Sequence, residues 1–183
     1  LLSRAVTRRA DGRNRKRVFL DAREAHLNPR CEKPVHLEFP GECGVGEGMR
    51  GRLNFCLSCF RPAAAAWERH YSELSEWVGF KRGISCGVVF YHTGRDLSLA
   101  AHGENCTFCG LEEDLLWIKE FMEGWFEIKL RGILGPDKWD DKEVTILGRI
   151  VRWTPSGIEF EADPKHRSLI METFGFKEGS KGL

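Results

Sequence analysis

Early in the chain the apolar residues come in short bursts, and the clearest is Val18-Phe19-Leu20, closed by Asp21. Such a run predicts a short buried strand with a carboxylate at its tip. Residues 28–52, rich in proline and glycine, predict loops and short irregular strands, one of them the alternating Val35–Phe39. From Ala63 the period changes. Trp67, Tyr71, Leu74 and Val78 are spaced by four, three and four, which puts them on one helical face, and Gly79 is a natural stop. Two strands follow, Gly87–Tyr91 and Leu97–Ala101, joined around Thr93-Gly94-Arg95. A polar turn, His102-Gly103-Glu104-Asn105, then leads into a returning strand at Cys106–Phe108. A second amphipathic helix covers residues 112–126, with Leu115, Ile118, Met122 and Trp125 on one side. Val144–Trp153 and Ile158–Glu161 predict another hairpin around Pro155-Ser156-Gly157. Asp163 or Pro164 opens a last helix carrying His166, Leu169, Ile170 and Phe174. There is no internal repeat. The order strand, helix, hairpin, helix, hairpin, helix predicts an α+β fold with a largely antiparallel sheet.

Composition adds limits to this picture. With 183 residues the chain has room for one well-buried domain and too little for two ordinary ones. Hydrophobic content of 42% against 30% charged residues is that of a soluble globular protein. No run approaches the roughly 20 apolar residues of a membrane span. The N-terminus lacks an apolar signal region, so the expectation is a protein that is not secreted. The chain begins Leu1-Leu2, as a fragment of a longer reading frame would. Seven cysteines, Cys31, Cys43, Cys56, Cys59, Cys86, Cys106 and Cys109, read as reduced thiols in a cytoplasmic or nuclear compartment.

Net charge is +1, but it is unevenly spread. The first 17 residues hold Arg4, Arg8, Arg9, Arg13, Arg15, Lys16 and Arg17 against Asp11 alone, while the other 166 hold 21 basic and 26 acidic residues. A basic arm on a mildly acidic body has the charge to reach phosphates. The competing expectation, which we favour, is a solvated, disordered lead-in over 1–17. The body then runs from 18 to 176, and 177–183 form a flexible tail.

Two CxxC pairs, Cys56–Cys59 and Cys106–Cys109, raise the question of a tetrahedral zinc site. Forty-six residues separate the pairs, against about 15–20 in zinc ribbons. Thr107-Phe108 are also strand formers, and on a strand positions i and i+3 face opposite sides. Small hydrophobic thiols in a core are the better reading. Trp67, Tyr71, Trp77, Trp117 and Trp125 follow helical spacing and are expected in the core. His92, His102 and His166 stand alone in sequence and are not expected to be ligands. Glu112-Glu113-Asp114 reads as the acidic first turn of a helix, where negative charge suits the dipole.

Five segments, taken in order, resemble the reverse transcriptase domain of copia-type LTR retrotransposons. "VFLDAREAHLNPRCEKPVHLEFP" is similar to D-V-x-x-A-[FY]-L with its acidic loop and "VYMEQP". "RLNFCLSCFRPAAAAWERHYSELSEWVGFKR" resembles R-L-x-x-x-L-Y-G-L-K-Q-A-P-R-A-W followed by "LGFKR". "VVFYHTGRDLSLAAHGENCTFCG" lies where the family has the strand pair carrying Y-V-D-D. "WFEIKLRGILG" resembles "RFEMKDLG", and "VTILGRIVRWTPSGIEFEADPKHRSLIMETFGF" resembles the segment that follows it. The likeness spans about Val18 to Phe176, and its weight lies in order and spacing rather than in any single motif.

The resemblance implies a polymerase palm, an antiparallel sheet backed by two helices, with partial fingers. It implies templated addition of deoxynucleotides to a primer, with an RNA or DNA template–primer and deoxynucleoside triphosphates as partners and Mg2+ or Mn2+ as cofactor. The family chemistry uses two divalent ions held by short carboxylates. Asp21 matches the first carboxylate, and Glu104 and Asn105 stand at the two aspartates of the turn, so Asp21 and Glu104 are the implied metal ligands. Ala22 would offer its carbonyl. His26 replaces the ring that excludes a ribose 2′-hydroxyl, Ser58-Cys59 replaces Tyr-Gly, and Arg61-Pro62 replaces Lys-Gln, leaving Arg61 to meet a triphosphate. Glu104 sets its carboxylate one methylene further out, and Asn105 removes a charge, so an impaired or inactive copy is expected. The alternatives are a non-catalytic nucleic-acid-binding remnant and, less favoured, a zinc-stabilised interaction module.

Overall fold

The run Val18-Phe19-Leu20 lies inside a seven-residue strand, Lys16–Ala22 (β1), all of whose residues are buried. A strand buried on both sides needs two apolar surfaces, and the computed structural model supplies them; it describes residues 1–7, 9–46, 48–161 and 164–175. A short helix, Leu2–Val6 (α1), precedes β1. After β1 come a tight turn at Ala25–Leu27 and a two-stranded ribbon, His36–Glu38 (β2) with Arg50–Arg52 (β3). The helix Ala63–Trp77 (α2) follows, then strands Lys81–Arg82 (β4), Val89–His92 (β5), Leu97–His102 (β6) and Asn105–Gly110 (β7). The second long helix is Glu112–Glu123 (α3), and strand Ile128–Leu134 (β8) succeeds it. Strands Glu143–Ile146 (β9), Arg149–Thr154 (β10) and Gly157–Glu161 (β11) form a separate small sheet, and the helix Pro164–Phe174 (α4) ends the described chain.

The main sheet is antiparallel, with six strands in the order β4-β5-β6-β7-β1-β8. Alternation along the strands sorts the side chains. Val18 and Leu20 of β1, Leu97, Leu99 and Ala101 of β6, and Cys106 and Phe108 of β7 share one face. Onto it pack Trp67, Tyr71 and Leu74 of α2 and Leu115, Ile118 and Met122 of α3. Each fully buried large side chain here contributes about 1.5–3 kcal/mol. On the opposite face Phe19 and Leu134 meet Val144 and Val151 of the small sheet, with Leu2 of α1 alongside. The α+β class and the antiparallel sheet backed by two helices are therefore as expected. Among the described residues, no helix is long and apolar enough to cross a membrane.

Four expectations change. The lead-in does not trail free. Arg4, Arg9 and Arg15 all pair with the carboxylate of Asp96, which sits in the β5–β6 turn with a left-handed φ of 50°. A run of like charge folds back when one acceptor takes several guanidinium groups at once. The segment Val144–Trp153 is two strands rather than one, because Leu147 and Gly148 both take positive φ (49° and 71°) and close a two-residue hairpin. Leucine is no turn residue, so the sequence gives little warning. Trp77 and Trp125 lie on the surface, 72% and 53% exposed, meeting each other edge to face, with Trp77 stacked on Phe121. Trp77 is the last residue of α2, and Trp125 follows the end of α3. Finally, β8 had no counterpart in the hydrophobic pattern, although it borders β1. The tail at 177–183 and Asp163, a possible opener of the last helix, lie outside the described residues.

Candidate functional site

β1 and β7 pair so that Asp21 faces Asn105 directly, and β7 pairs with β6 so that Asn105 faces His102. Two residues, Gly103 and Glu104, make the connection between β6 and β7. Gly103 has φ 58° and Glu104 does not share the positive sign, the pattern of a II′ hairpin turn with glycine first. The turn is fixed from two sides. Trp67 Nε1 donates to the Gly103 carbonyl at 2.9 Å, and the Ala22 amide donates to the Glu104 carbonyl at 2.9 Å. Trp67 itself is buried among Tyr71, His70 and Phe126. A helix residue read as core therefore also anchors the turn.

Asp21 is buried at the end of β1, and its carboxylate already has a cation. Arg131 donates to Asp21 Oδ2 from Nε at 2.9 Å, and from Nη2 as well. The reach comes from a β-bulge. β1 pairs Phe19 with Gly132 and Leu20 with Leu130, which leaves Arg131 as the extra residue. The bulge also explains how Ile128 and Ile133, five residues apart, pack on the same core. Without it an odd separation would send them to opposite faces.

The remaining expected site residues are dispersed. The Glu104 side chain is exposed at the tip of the turn, while alternation puts Asn105 on the Asp21 face. His26 lies half-buried on the Ala25–Leu27 turn, against α2. Arg61 is exposed just ahead of α2. Cys59, two residues earlier, has a left-handed φ of 64°. Thus Asp21, Ala22, Glu104 and Asn105 come together through the β1–β7 register and the turn, and His26 and Arg61 make no hydrogen bond or ion pair with any of the four.

This donor set does not fit a pair of magnesium ions. The one buried carboxylate is engaged by a guanidinium, its cross-strand neighbour is a neutral amide, and the second carboxylate points out from a turn tip. Magnesium takes oxygen ligands in near-octahedral geometry, and rigid, free carboxylates serve that best. Among the described residues no cluster of three or more His, Cys, Asp or Glu could hold a metal. That also weighs against a zinc module: Cys106 lies on the helix-backed face of β7, and Cys109 opposes Arg17 on the other. Burial pushes the Cys106 thiol up to about 12, and the Asp21 carboxylate adds to the rise.

Sequence reasoning missed Arg131 and Asp96. The only trace of the first was the broken alternation of Ile-Lys-Leu-Arg-Gly-Ile-Leu at 128–134; Asp96 left none. Comparison with models of known protein families gave no match, and comparison with curated proteins gave none either.

Proposed function

We propose that the chain is a palm-centred reverse transcriptase domain of copia-type ancestry in which metal-dependent polymerisation is disabled. The observation that carries the second half is the Arg131–Asp21 ion pair: a permanently charged guanidinium stands where a catalytic carboxylate would have to be free. The ancestry rests on the resemblance in sequence and gains support from three local features. Asp21 and Asn105, matched to motif carboxylates far apart in sequence, are direct cross-strand partners. Cys59, matched to a family glycine, keeps a backbone conformation that favours glycine. Trp67, matched to a family tryptophan, holds the turn that carries Glu104.

In this reading the ancestral partners are a template–primer and deoxynucleoside triphosphates, with Mg2+ or Mn2+ in the parent enzyme. Arg61 remains available for a triphosphate, and His26 would discriminate poorly against ribose. The folded-back arm offers phosphates less charge than its sequence promises, because Asp96 engages Arg4, Arg9 and Arg15.

The test is primer extension on an RNA template with magnesium or manganese. The chain as it stands would run beside a variant combining Glu104→Asp, Asn105→Asp and Arg131→Leu. Extension by the variant alone is expected. Extension by the unmodified chain would overturn the claim that the site is disabled. If neither extends, salt-sensitive binding of template–primer would turn the reading to a nucleic-acid-binding remnant. Neither extension nor binding would remove nucleic acid from the account.

A further inference from the structure

The face of β1 that carries Asp21 at one end carries Arg17 at the other, and Arg17 is 4% exposed. Its guanidinium lies over the Phe19 ring at 5.6 Å, yet among the described residues it makes no hydrogen bond or ion pair, and its Nε is buried without a partner. Arg4 of α1 repeats the feature: its Nη2 pairs with Asp96, while its Nε is buried and unpartnered. Both arginines line one open groove of about 550 Å³ between α1 and the main sheet.

Strand register builds the floor of this groove. Arg17 opposes Cys109, Cys109 opposes Ser98, and Ser98 opposes Tyr91. One row further on, Thr107 opposes Ala100, which opposes Val89. Hydroxyls of Ser98 and Thr107 therefore share the groove with Arg17, while Leu2, Val89 and Ala100 give it apolar walls.

A buried guanidinium cannot discharge itself at ordinary pH, so its charge has to be met by an acceptor or left uncompensated at a high cost. Nothing in the groove meets it. The Cys109 thiol is pushed up by burial, against the pull of Arg17, Arg4 and Arg15, and stays neutral. Asp96 already accepts from Arg4, Arg9, Arg15 and Tyr91. Three arginines on one carboxylate, with Arg17 beside them, leave the region with surplus positive charge.

We propose that this groove binds an oxyanion borne on an apolar body, a carboxylate or a phosphate monoester, with Arg17 as the principal contact and Arg4 at the rim. The guanidinium Nε–H and Nη–H groups suit two oxygens of one anion, and the Ser98 and Thr107 hydroxyls can donate to it. The apolar walls take the rest of the ligand. The inference is independent of the polymerase reading.

Thermal unfolding and calorimetric titration of the full chain test it, with phenyl phosphate, hexanoate, their neutral counterparts phenol and hexanol, and inorganic phosphate as probes. At least one of the two organic anions should raise the unfolding temperature with dose and bind at least tenfold more tightly than its neutral counterpart. Preference between them identifies the head group. Arg17→Met keeps the length of the stem and removes the charge; it should weaken the anion at least tenfold and raise the unfolding temperature without ligand. Unchanged affinity in that variant would overturn the proposal. If the variant does not fold, the wild-type comparison decides alone, since equal affinity for anion and neutral counterpart, or no binding of either, overturns it. Inorganic phosphate binding as tightly as phenyl phosphate and hexanoate would overturn the claim of an apolar body.

Discussion

Asp21 and Arg17 sit four residues apart on the same face of the same strand, both buried, and they have met opposite fates. At the Asp21 end, β8 bulges and delivers Arg131, so the buried charge is matched. At the Arg17 end the neighbours across the sheet are Leu134 and Cys109, and neither carries a counter-charge. One end of the face has been closed by an internal ion pair, and the other has been left open to an outside anion. The difference shows that burial alone does not tell a matched charge from an unmatched one; the deciding fact is whether the adjacent strand supplies the partner.

The two thiols of the Cys106–Cys109 pair allow the largest test of this contrast. Cys106 is raised by burial with the Asp21 carboxylate adding, whereas Cys109 is raised by burial against the pull of Arg17. The folded value for Cys106, about 12, lies above its ordinary 9.0. Its contribution to stability is therefore fully present below pH 9 and is lost as pH rises toward 12. Tyr71 moves in the same sense, from 10.0 to about 12, chiefly through burial. Urea unfolding should show a plateau to about pH 9 and, from these two groups together, a loss of about 4 kcal/mol by pH 11. Cys106→Val should flatten that limb more than Cys109→Val does; equal flattening would mean that Asp21 and Arg17 do not set the two thiols apart.

A smaller effect is expected from breaking the matched pair. Arg131→Met leaves the Asp21 carboxylate buried without its cation and should cost about 2 kcal/mol, between the values for exposed and fully buried pairs. Adding Asp21→Asn should restore most of the loss, and a double-mutant cycle measures the coupling. Arg17→Met is expected to change stability in the opposite direction. If both arginine variants destabilise alike, the two ends of the strand are not different in kind.

The smallest effect concerns the turn that only the Asp21 end possesses. Trp67→Phe keeps an aromatic ring in the core but removes the Nε1 bond to Gly103, a loss of about 1 kcal/mol. Amide exchange at Glu104 and Asn105 should quicken while the β1–β7 pairs near Arg17 keep their protection. Uniform quickening along β7 would assign Trp67 a packing role alone.

How much of this was legible in the sequence depended on the range of the interaction. The helices at Ala63–Trp77 and Glu112–Glu123 were plain from spacing, because a helical face is written within four residues of itself. The β6–β7 turn was plain too, since Gly103 supplies its φ locally. The hairpin at Leu147-Gly148 was missed because a leucine holds the position that turn chemistry would give to Asn, Asp or Gly. Trp77 and Trp125 were misread as core because spacing states which way a residue faces on a helix, and not whether anything lies opposite.

The sequence by itself determined the α+β class, the buried strand that carries Asp21, and the polar turn that carries Glu104 and Asn105. Only the tertiary structure decided that Asp21 is held by Arg131, that Arg4, Arg9 and Arg15 gather on Asp96, and that Arg17 is buried with no hydrogen bond or ion pair among the described residues. Hydrophobic period is a local quantity and survives in the one-dimensional chain. The pairing of charges 81 to 110 residues apart depends on strand register and a single bulge, which exist only once the sheet has formed.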